Sequence, residues 1–505
     1  MKKFTVLVAL ALIAATGTGY AVTCSQDNVP AATLLVPYFQ VGGSAAAGQI
    51  PVGGVDTLVA ITNVSEWGAI AHVTVWNKQS APVLDFNVPM TGYDVAFFSM
   101  RDVLNGNLNV NPNTQQLYGK LGEDPCRYDG NIGEGQAQFI RFLHPQYPGG
   151  DYFDSIGFYA TPAFSGNFRN RVLDSLDESP AYTSLSSRPA QDTDNPACAI
   201  GTSDGVFTTS FSGYLTIDVV NYCTNWFPSQ STFYTFDAIA TRGWDDNGGP
   251  NVLMGDVFYI DPATAGGNIS GEAAVALEFD ERLEYSAATW AASPEKTFYA
   301  RYGLLFDDAA QSFQPAFSFL GDGREPLGTV YGFRYLNDAA AGLQTWAVIW
   351  RSDRWDSDDT TAVVAPSGVN LCDKDKTTGK SLANGRQITI STWDNDENQN
   401  EQTGGGPSGD VPVTIYTNVW WESNRINISG NGDMNPAAFK GGWTRFTFNP
   451  NNSVKYNQAY VEVEHTAPGA FVSVGHSATL LDNQFLCPVG YPFADPGNVA
   501  FGVSE

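Results

Sequence analysis

Charge is scarce in this sequence, and positive charge is scarcer still. Only 16 % of its 505 residues are Asp, Glu, Lys or Arg, against about 25 % in an ordinary soluble domain. Lys and Arg number 26 against 53 acidic residues, a formal net charge of −27. A phosphate backbone needs a basic footprint, so nucleic acid is not an expected partner. Histidine occurs four times, at His72, His144, His465 and His476, which leaves little material for acid–base or metal chemistry. Beyond residue 21 there is no run of 18 apolar residues, and no transmembrane helix is expected. Also missing are a CxxC pair, an HExxH motif, a Walker loop and a GxGxxG followed by a helix. With so few charges, the polar surface falls to Asn, Ser, Thr, Gln and Gly, a profile that suits extracellular β proteins.

What is present begins with the leader. Met1-Lys2-Lys3 is a basic start, Phe4 to Ala15 is a short apolar stretch, and Gly19 and Ala21 occupy the positions a signal peptidase reads. This pattern predicts a signal peptide over residues 1–21 and an exported product that is extracellular, cell-surface or periplasmic. The leader holds two of the 26 basic residues, so the mature chain would carry 24 against 53 acidic ones, a charge of −29. Such a surface favours solubility and can collect divalent cations. Ala21-Val22-Thr23 is a poor match to the run that precedes a lipidated cysteine. Six cysteines follow the leader: Cys24, Cys126, Cys198, Cys223, Cys372 and Cys487. An even number in an oxidising compartment predicts disulfides. The preferred connectivity of the 15 possible is sequential, Cys24–Cys126, Cys198–Cys223 and Cys372–Cys487.

Strand signals dominate the rest. Thr57–Thr62 is β-branched. Ala71–Trp76, Leu84–Val88 and Leu215–Val219 alternate apolar with polar, and similar stretches are Ile388–Ser391, Val413–Trp420, Thr444–Phe448, Tyr460–Glu464 and Phe471–Val474. One apolar and one polar face is the signature of a half-buried antiparallel strand. Helices are few: a capping box at Ser99-Met100-Arg101-Asp102 opens a short one, and Phe168–Leu176 is a second. The expected class is all-β, with two or three antiparallel sandwich modules joined by long loops. The expected division is an N-terminal sandwich over 22–130, a central β domain over 131–300 and a C-terminal sandwich over 301–505. Thr57–Trp76 and Thr329–Trp350 share a strand–turn–strand grammar, read as two hairpins or as two copies of a domain. Ile61-Thr62-Asn63-Val64-Ser65, Val73-Thr74-Val75-Trp76 and Leu84-Asp85-Phe86 carry a resemblance of residues 56–102 to the immunoglobulin-like modules of bacterial secreted and surface proteins. That resemblance implies a packing module and no activity.

Several constellations are candidates for chemistry. Trp244 beside Asp245 and Asp246, Trp355 beside Asp353, Asp356, Asp358 and Asp359, and Trp393 beside Asp394 and Asp396 place an aromatic ring next to carboxylates. A ring face stacks on a pyranose while acids accept hydroxyl hydrogen bonds, so these are candidate glycan-binding residues. The plainer alternative is a strand-end Trp beside a solvated loop. Asp394, Asp396, Asn398 and Asn400 set oxygen ligands at alternate positions, a candidate calcium loop, although Gln399 stands where an EF-hand has glycine. Asp373 to Thr377 is a second, lysine-bearing candidate. His465 and His476, with Glu462 or Glu464, are a candidate zinc set. Gly475-His476-Ser477-Ala478-Thr479 lacks the second glycine of a nucleophile elbow. Asn63-Val64-Ser65 and three further triplets match the glycosylation sequon.

Three functional classes are consistent with these features. The first is a non-catalytic secreted or cell-surface protein with a structural, adhesive or ligand-binding role, its partners glycans or other surface proteins and its one candidate cofactor Ca2+. The second is a secreted carbohydrate-active protein that uses the Trp–carboxylate clusters. The third is an outer-membrane β-barrel, disfavoured by the terminal Glu505, 28 prolines and six cysteines. The sequence reading favours the first.

Overall fold

The alternating segments become antiparallel strands, and the odd and even residues of each strand separate onto two faces. The computed structural model describes, with short breaks, residues 29–105, 210–279, 297–299, 304–307, 312–315, 322–352, 386–394, 415–428, 440–448, 458–466 and 474–482, together with Val172, Leu173 and Leu176. The first strands are β1 (Thr33–Gly42), β2 (Asp56–Asn63), β3 (Ala69–Asn77), β4 (Pro82–Met90) and β5 (Val95–Ser99). The helix α1 (Met100–Asn105) follows, and the Asp102 N–H donates to Ser99 Oγ at 3.3 Å, as the capping box requires. Next come β6 (Ser210–Val219), β7 (Leu253–Asp261), β8 (Asn268–Ala273) and β9 (Val275–Leu277). A hairpin of β10 (Leu304–Asp307) and β11 (Ser312–Pro315) leads to the second half. That half holds β12 (Val330–Leu336), β13 (Gln344–Arg351), β14 (Arg386–Asp394), β15 (Ile415–Val419), β16 (Ser423–Asn427), β17 (Gly441–Thr447), β18 (Ala459–Thr466), β19 (Val474–Ser477) and β20 (Thr479–Asp482).

Four larger sheets form two layered pairs. Sheet I has the order β4-β3-β6-β1-β9 and faces sheet II, β5-β2-β7-β8. Sheet III, β15-β14-β17-β12-β20, faces sheet IV, β16-β13-β18-β19. Between I and II lie Leu34, Val36, Val59, Ile61, Val73, Val75, Phe86, Phe98, Leu215 and Ile217, all buried, with Phe86 set edge-on to Phe98 at 5.3 Å. Between III and IV lie Tyr331, Phe333, Tyr335, Ile349, Ile388, Ile390, Phe446, Val461 and Val463. Removing each such side chain from water stabilises the fold by about 1.5–3 kcal/mol.

The two pairs have one topology. Adding eleven to each strand number of sheets I and II reproduces sheets III and IV, strand for strand. The chain is therefore a tandem repeat of one nine-stranded plan. The strand–turn–strand echo in the sequence catches this out of step: it matched β2–β3 with β12–β13, whereas the topology matches β1–β2 with β12–β13. Neither matched pair is a hairpin, because its two strands lie in different sheets.

Two further observations concern strand order and pairing. The immunoglobulin strand order is not reproduced. In that arrangement the first two strands share a sheet, whereas β1 and β2 lie in different ones. Sheet I also draws on strands from both sides of the long segment between β5 and β6, since β6 pairs with both β1 and β3. Among the described residues each sheet is open, with two edges, and none closes into a barrel. No described helix is long and apolar enough to cross a membrane.

Candidate functional site

The outer face of sheet III is the site that combines a sequence-selected residue with exposure. In β14, Ile388, Ile390 and Thr392 point inward, so Thr389, Ser391 and Trp393 point out. In β17, Thr444 and Phe446 point inward, so Trp443 and Arg445 point out. Trp393 opposes Trp443, and Trp443 in turn opposes Arg334 of β12. The two indoles stack at 3.8 Å between centroids with planes 8° apart, and Trp443 is 38 % exposed. The Tyr335 hydroxyl donates to the Trp393 carbonyl at 3.0 Å and fixes that end of β14. Arg334, Arg445 and Leu336 are exposed on the same face.

The first sandwich carries the same feature in the equivalent place, under cover. Trp76 of β3 opposes Tyr214 of β6, and their rings lie 5.7 Å apart and 4° from parallel. A glycine precedes the ring in both repeats: Gly213 opposes Asn77, and Gly442 opposes Asp394. A Cβ at Gly213 would lie 2.0 Å from the Trp76 carbonyl oxygen, so no larger residue fits that close approach. Trp76 and Tyr214 are fully buried. Trp350 of β13 meets Tyr214 edge-on at 6.0 Å, and Phe298 stacks on Trp350 at 5.1 Å. The Tyr214 hydroxyl donates to Glu422 at 3.3 Å, the Ser423 hydroxyl to the Pro37 carbonyl at 2.6 Å, and the Glu422 N–H to the Lys78 carbonyl at 2.8 Å. The outer face of sheet IV thus closes over the aromatic end of sheet I.

The rest of that face of sheet I is a buried polar layer. Asn87, His72, Asp218 and Thr33 form a row across β4, β3, β6 and β1. Thr33 donates to Asp218 at 2.6 Å, and the Tyr299 hydroxyl donates to the same carboxylate at 2.9 Å. Arg324 donates from Nε to Thr33 Oγ1 at 3.0 Å and from Nη1 to the carbonyls of Ala240 and Asp322, each at 2.7 Å. The Asp322 carboxylate accepts from the Thr297 hydroxyl at 2.8 Å and from the N–H groups of Tyr299 and Arg324 at 3.1 and 2.7 Å. Burial pushes Asp218 and Asp322 up to about 6, and the attraction of Arg324 offsets only part of it. In the next row neither oxygen of Asp85 has a partner, nor does Thr74 Oγ1. Burial drives the Asp85 pKa well above the carboxylate range. His72, whose Nδ1 meets Asn87 Oδ1 at 2.9 Å, is pulled down to about 4 by burial.

On the outer face of sheet IV, Arg425 lies over the Trp346 ring at 4.4 Å and donates to Glu464 from Nε and Nη2 at 2.9 and 2.6 Å. Tyr259 donates to the neighbouring Glu462 at 3.4 Å, and burial pushes Glu462 up. Perturbed carboxyls often mark active sites. Asp85, Asp218, Asp322 and Glu462 are at most 1 % exposed; Asp218, Asp322 and Glu462 bridge neighbouring segments through their hydrogen bonds, whereas Asp85 is buried without a partner.

The sequence-selected residues are only partly gathered. Trp393 belongs to the stacked pair, and Asp394 ends β14 beside it. Trp244, Asp245, Asp246, Trp355, Asp356, Asp396, Asn398, Asn400 and all six cysteines lie outside the described residues. The zinc set does not assemble. His465 opposes Val474 and meets Thr345 Oγ1 at 3.1 Å, while Glu462 and Glu464 alternate onto the other face of β18. Among the described residues no three His, Cys, Asp or Glu side chains are placed to hold a metal. Asn63 is no free sequon: its Nδ2 donates to the Trp67 and Thr91 carbonyls at 2.6 and 2.9 Å. Trp443 escaped the sequence reading, although its alternation with Phe446 marks it as outward-facing. No family model matches the chain, and neither a curated protein nor a solved structure is detectably similar to it.

Proposed function

We propose that the chain is an exported, non-catalytic protein of the cell surface or extracellular space, a structural or adhesive protein built of two tandem sandwich units that acts through its sheet faces. One observation carries this reading. The Trp393–Trp443 pair, with Trp443 exposed and Trp393 half-buried, lies on the face whose counterpart, Trp76–Tyr214, is already a packed interface. The burial of every strongly perturbed described carboxyl supports it, because a general acid must reach its substrate. The leader supports export. The carbohydrate-active reading keeps one specific support: Trp393 with Arg334, Arg445 and Ser391 offers a ring beside hydrogen-bond donors, the chemistry of a sugar platform.

Expression in a bacterial host followed by fractionation and a broad polysaccharide-hydrolysis screen tests the proposal. Expected are a product shortened by the leader outside the inner membrane and no turnover. Full-length protein held in the cytoplasm would overturn the export reading. Hydrolysis lost on replacing Asp394 would overturn the non-catalytic one.

A further inference from the structure

Among the described residues the outer faces of sheets I and IV form an interface between the repeats, and each repeat retains an open counterpart of one of these two faces. In the joined half, the aromatic end of the outer face of sheet I packs against the outer face of sheet IV. The equivalent of the first surface is the outer face of sheet III, with Trp393 and Trp443. The equivalent of the second is the outer face of sheet II. Pairing registers align them residue by residue. Trp350 opposes Ser423 and Tyr460, as Thr62 opposes Val95 and Met254. Glu462 then corresponds to Asp256, Glu464 to Phe258 and Arg425 to Phe97. Gly475 beside Glu464 corresponds to Gly271 beside Phe258.

Two of these matched positions change from charged to apolar, Glu464 to Phe258 and Arg425 to Phe97, while Glu462 to Asp256 stays acidic. Phe97 is 73 % exposed, and Val95 and Phe258 are exposed beside it, with the half-buried Leu58 and Ala60 between them. A contiguous uncovered apolar sheet face marks an interaction surface. The charges are complementary: Arg334 and Arg445 are exposed around the Trp pair, while Asp256 is exposed within the apolar face and Glu66 at its margin.

We propose that the Trp393–Trp443 face of one chain docks on the Val95–Phe97–Phe258 face of a second copy, so that the chains join head to tail. The contact repeats between molecules the interface that already joins the two sandwiches within one. It is heterologous, with different surfaces on the two partners, and therefore propagates as a filament or closes as a ring. The proposal rests on the reading of a surface-acting protein and deepens it by naming the partner.

Sedimentation velocity of the full mature chain over a range of concentrations is the test, with Trp443→Glu and Phe97→Glu as single variants. Both residues are exposed, and circular dichroism matched to the parent confirms that the variants fold. The parent is expected to grow in mass with concentration, and each variant alone to associate at least about tenfold more weakly. A mixture of the two variants should form dimers and nothing larger, since each keeps the one face the other lost. A parent that stays monomeric overturns the proposal. So does a Phe97→Glu chain that still dimerises, which would mean a symmetric contact. A monomeric parent whose tryptophan fluorescence is quenched by a soluble polysaccharide, with quenching lost in Trp443→Glu, overturns the assembly and leaves a glycan-binding surface protein. Failure of the export and turnover assays, by contrast, strikes the functional reading and leaves the mass measurement unaffected.

Discussion

Arg324→Met is the perturbation that most directly tests how the buried polar layer is held. Arg324 is fully buried, and its guanidinium bonds to Thr33 and two carbonyls near Asp218 and Asp322. Both carboxyls rise from 3.8 to about 6 because desolvation outweighs the attraction of Arg324. The folded state therefore binds protons that the unfolded state releases between these values. This contribution to stability is fully present below the unfolded pKa and is lost as pH rises through about 6, up to about 3 kcal/mol for each carboxyl. Without the guanidinium both carboxyls are driven higher still. Breaking such a buried arrangement by removing one partner costs about 3–5 kcal/mol at neutral pH. The loss must shrink in acid, where both carboxyls are already protonated. His72, pulled down from 6.5 to about 4 by burial, acts in the opposite sense: its contribution is present above 6.5 and lost as pH falls through about 4. It is common to both proteins and cancels in the difference. Urea melts of parent and variant at about pH 7 and about pH 4.5, followed by fluorescence and circular dichroism, supply the comparison. Adding Asp218→Asn and Asp322→Asn to the variant should recover much of the neutral-pH loss. An equal loss at both pH values, or no recovery, would show that Arg324 acts by packing alone and refute the electrostatic account.

Two further outcomes follow from the same geometry. Asp85→Val should stabilise the chain by about 1–3 kcal/mol near neutral pH, because it replaces an unpartnered buried carboxyl with a β-branched side chain on a strand. The denaturation midpoint reports it, and the gain should shrink in acid, where Asp85 of the unfolded chain is protonated as well and folding no longer has to take up a proton there. Trp76→Ala should cost about 3–5 kcal/mol, the cavity penalty of a fully buried indole. Trp443→Ala should cost only about 0.5–1.5 kcal/mol, the worth of a stacked pair at the surface. Equal costs in the two melts would contradict the different burial of these matched rings.

The class of the fold was legible because alternation is a local signal. Leu215-Thr216-Ile217-Asp218-Val219 reads as a two-faced strand without knowledge of its neighbours, and it is the second half of β6. Sheet order was not legible, because it depends on pairings between strands far apart in the chain. Nothing near Thr33 announces Asp218 as its partner 185 residues away. The same limit hides the return of β6 to the sheet of β1 and β3, since a long intervening segment resembles a linker whether or not the chain returns to the same sheet. Of the candidate site, Trp393 was legible from its acidic neighbours. Trp443 was not, because its significance lies in the strand it faces. His465 and Glu464 are adjacent in sequence, which suggested one metal site, but period-two alternation sends adjacent residues to opposite faces.

The duplication gives the stacked Trp pair a meaning that neither sequence nor exposure supplies alone. A stacked aromatic pair at the end of a sheet is by itself a strand-pairing device, worth about a kilocalorie. The first repeat places such a pair at the same register and buries it under Trp350, Glu422 and Ser423. The surroundings then diverge at two of three charged positions. The covered face of sheet IV carries Arg425, Glu462 and Glu464, each with a bonded partner, whereas the matched positions of sheet II carry Phe97, Asp256 and Phe258 in the open. Buried charges are tolerated only when paired, and exposed apolar faces of this extent are uncommon without a partner. Two repeats of one plan, one interface formed and its two matched faces left open, are what a protein built to extend by adding copies of itself would present.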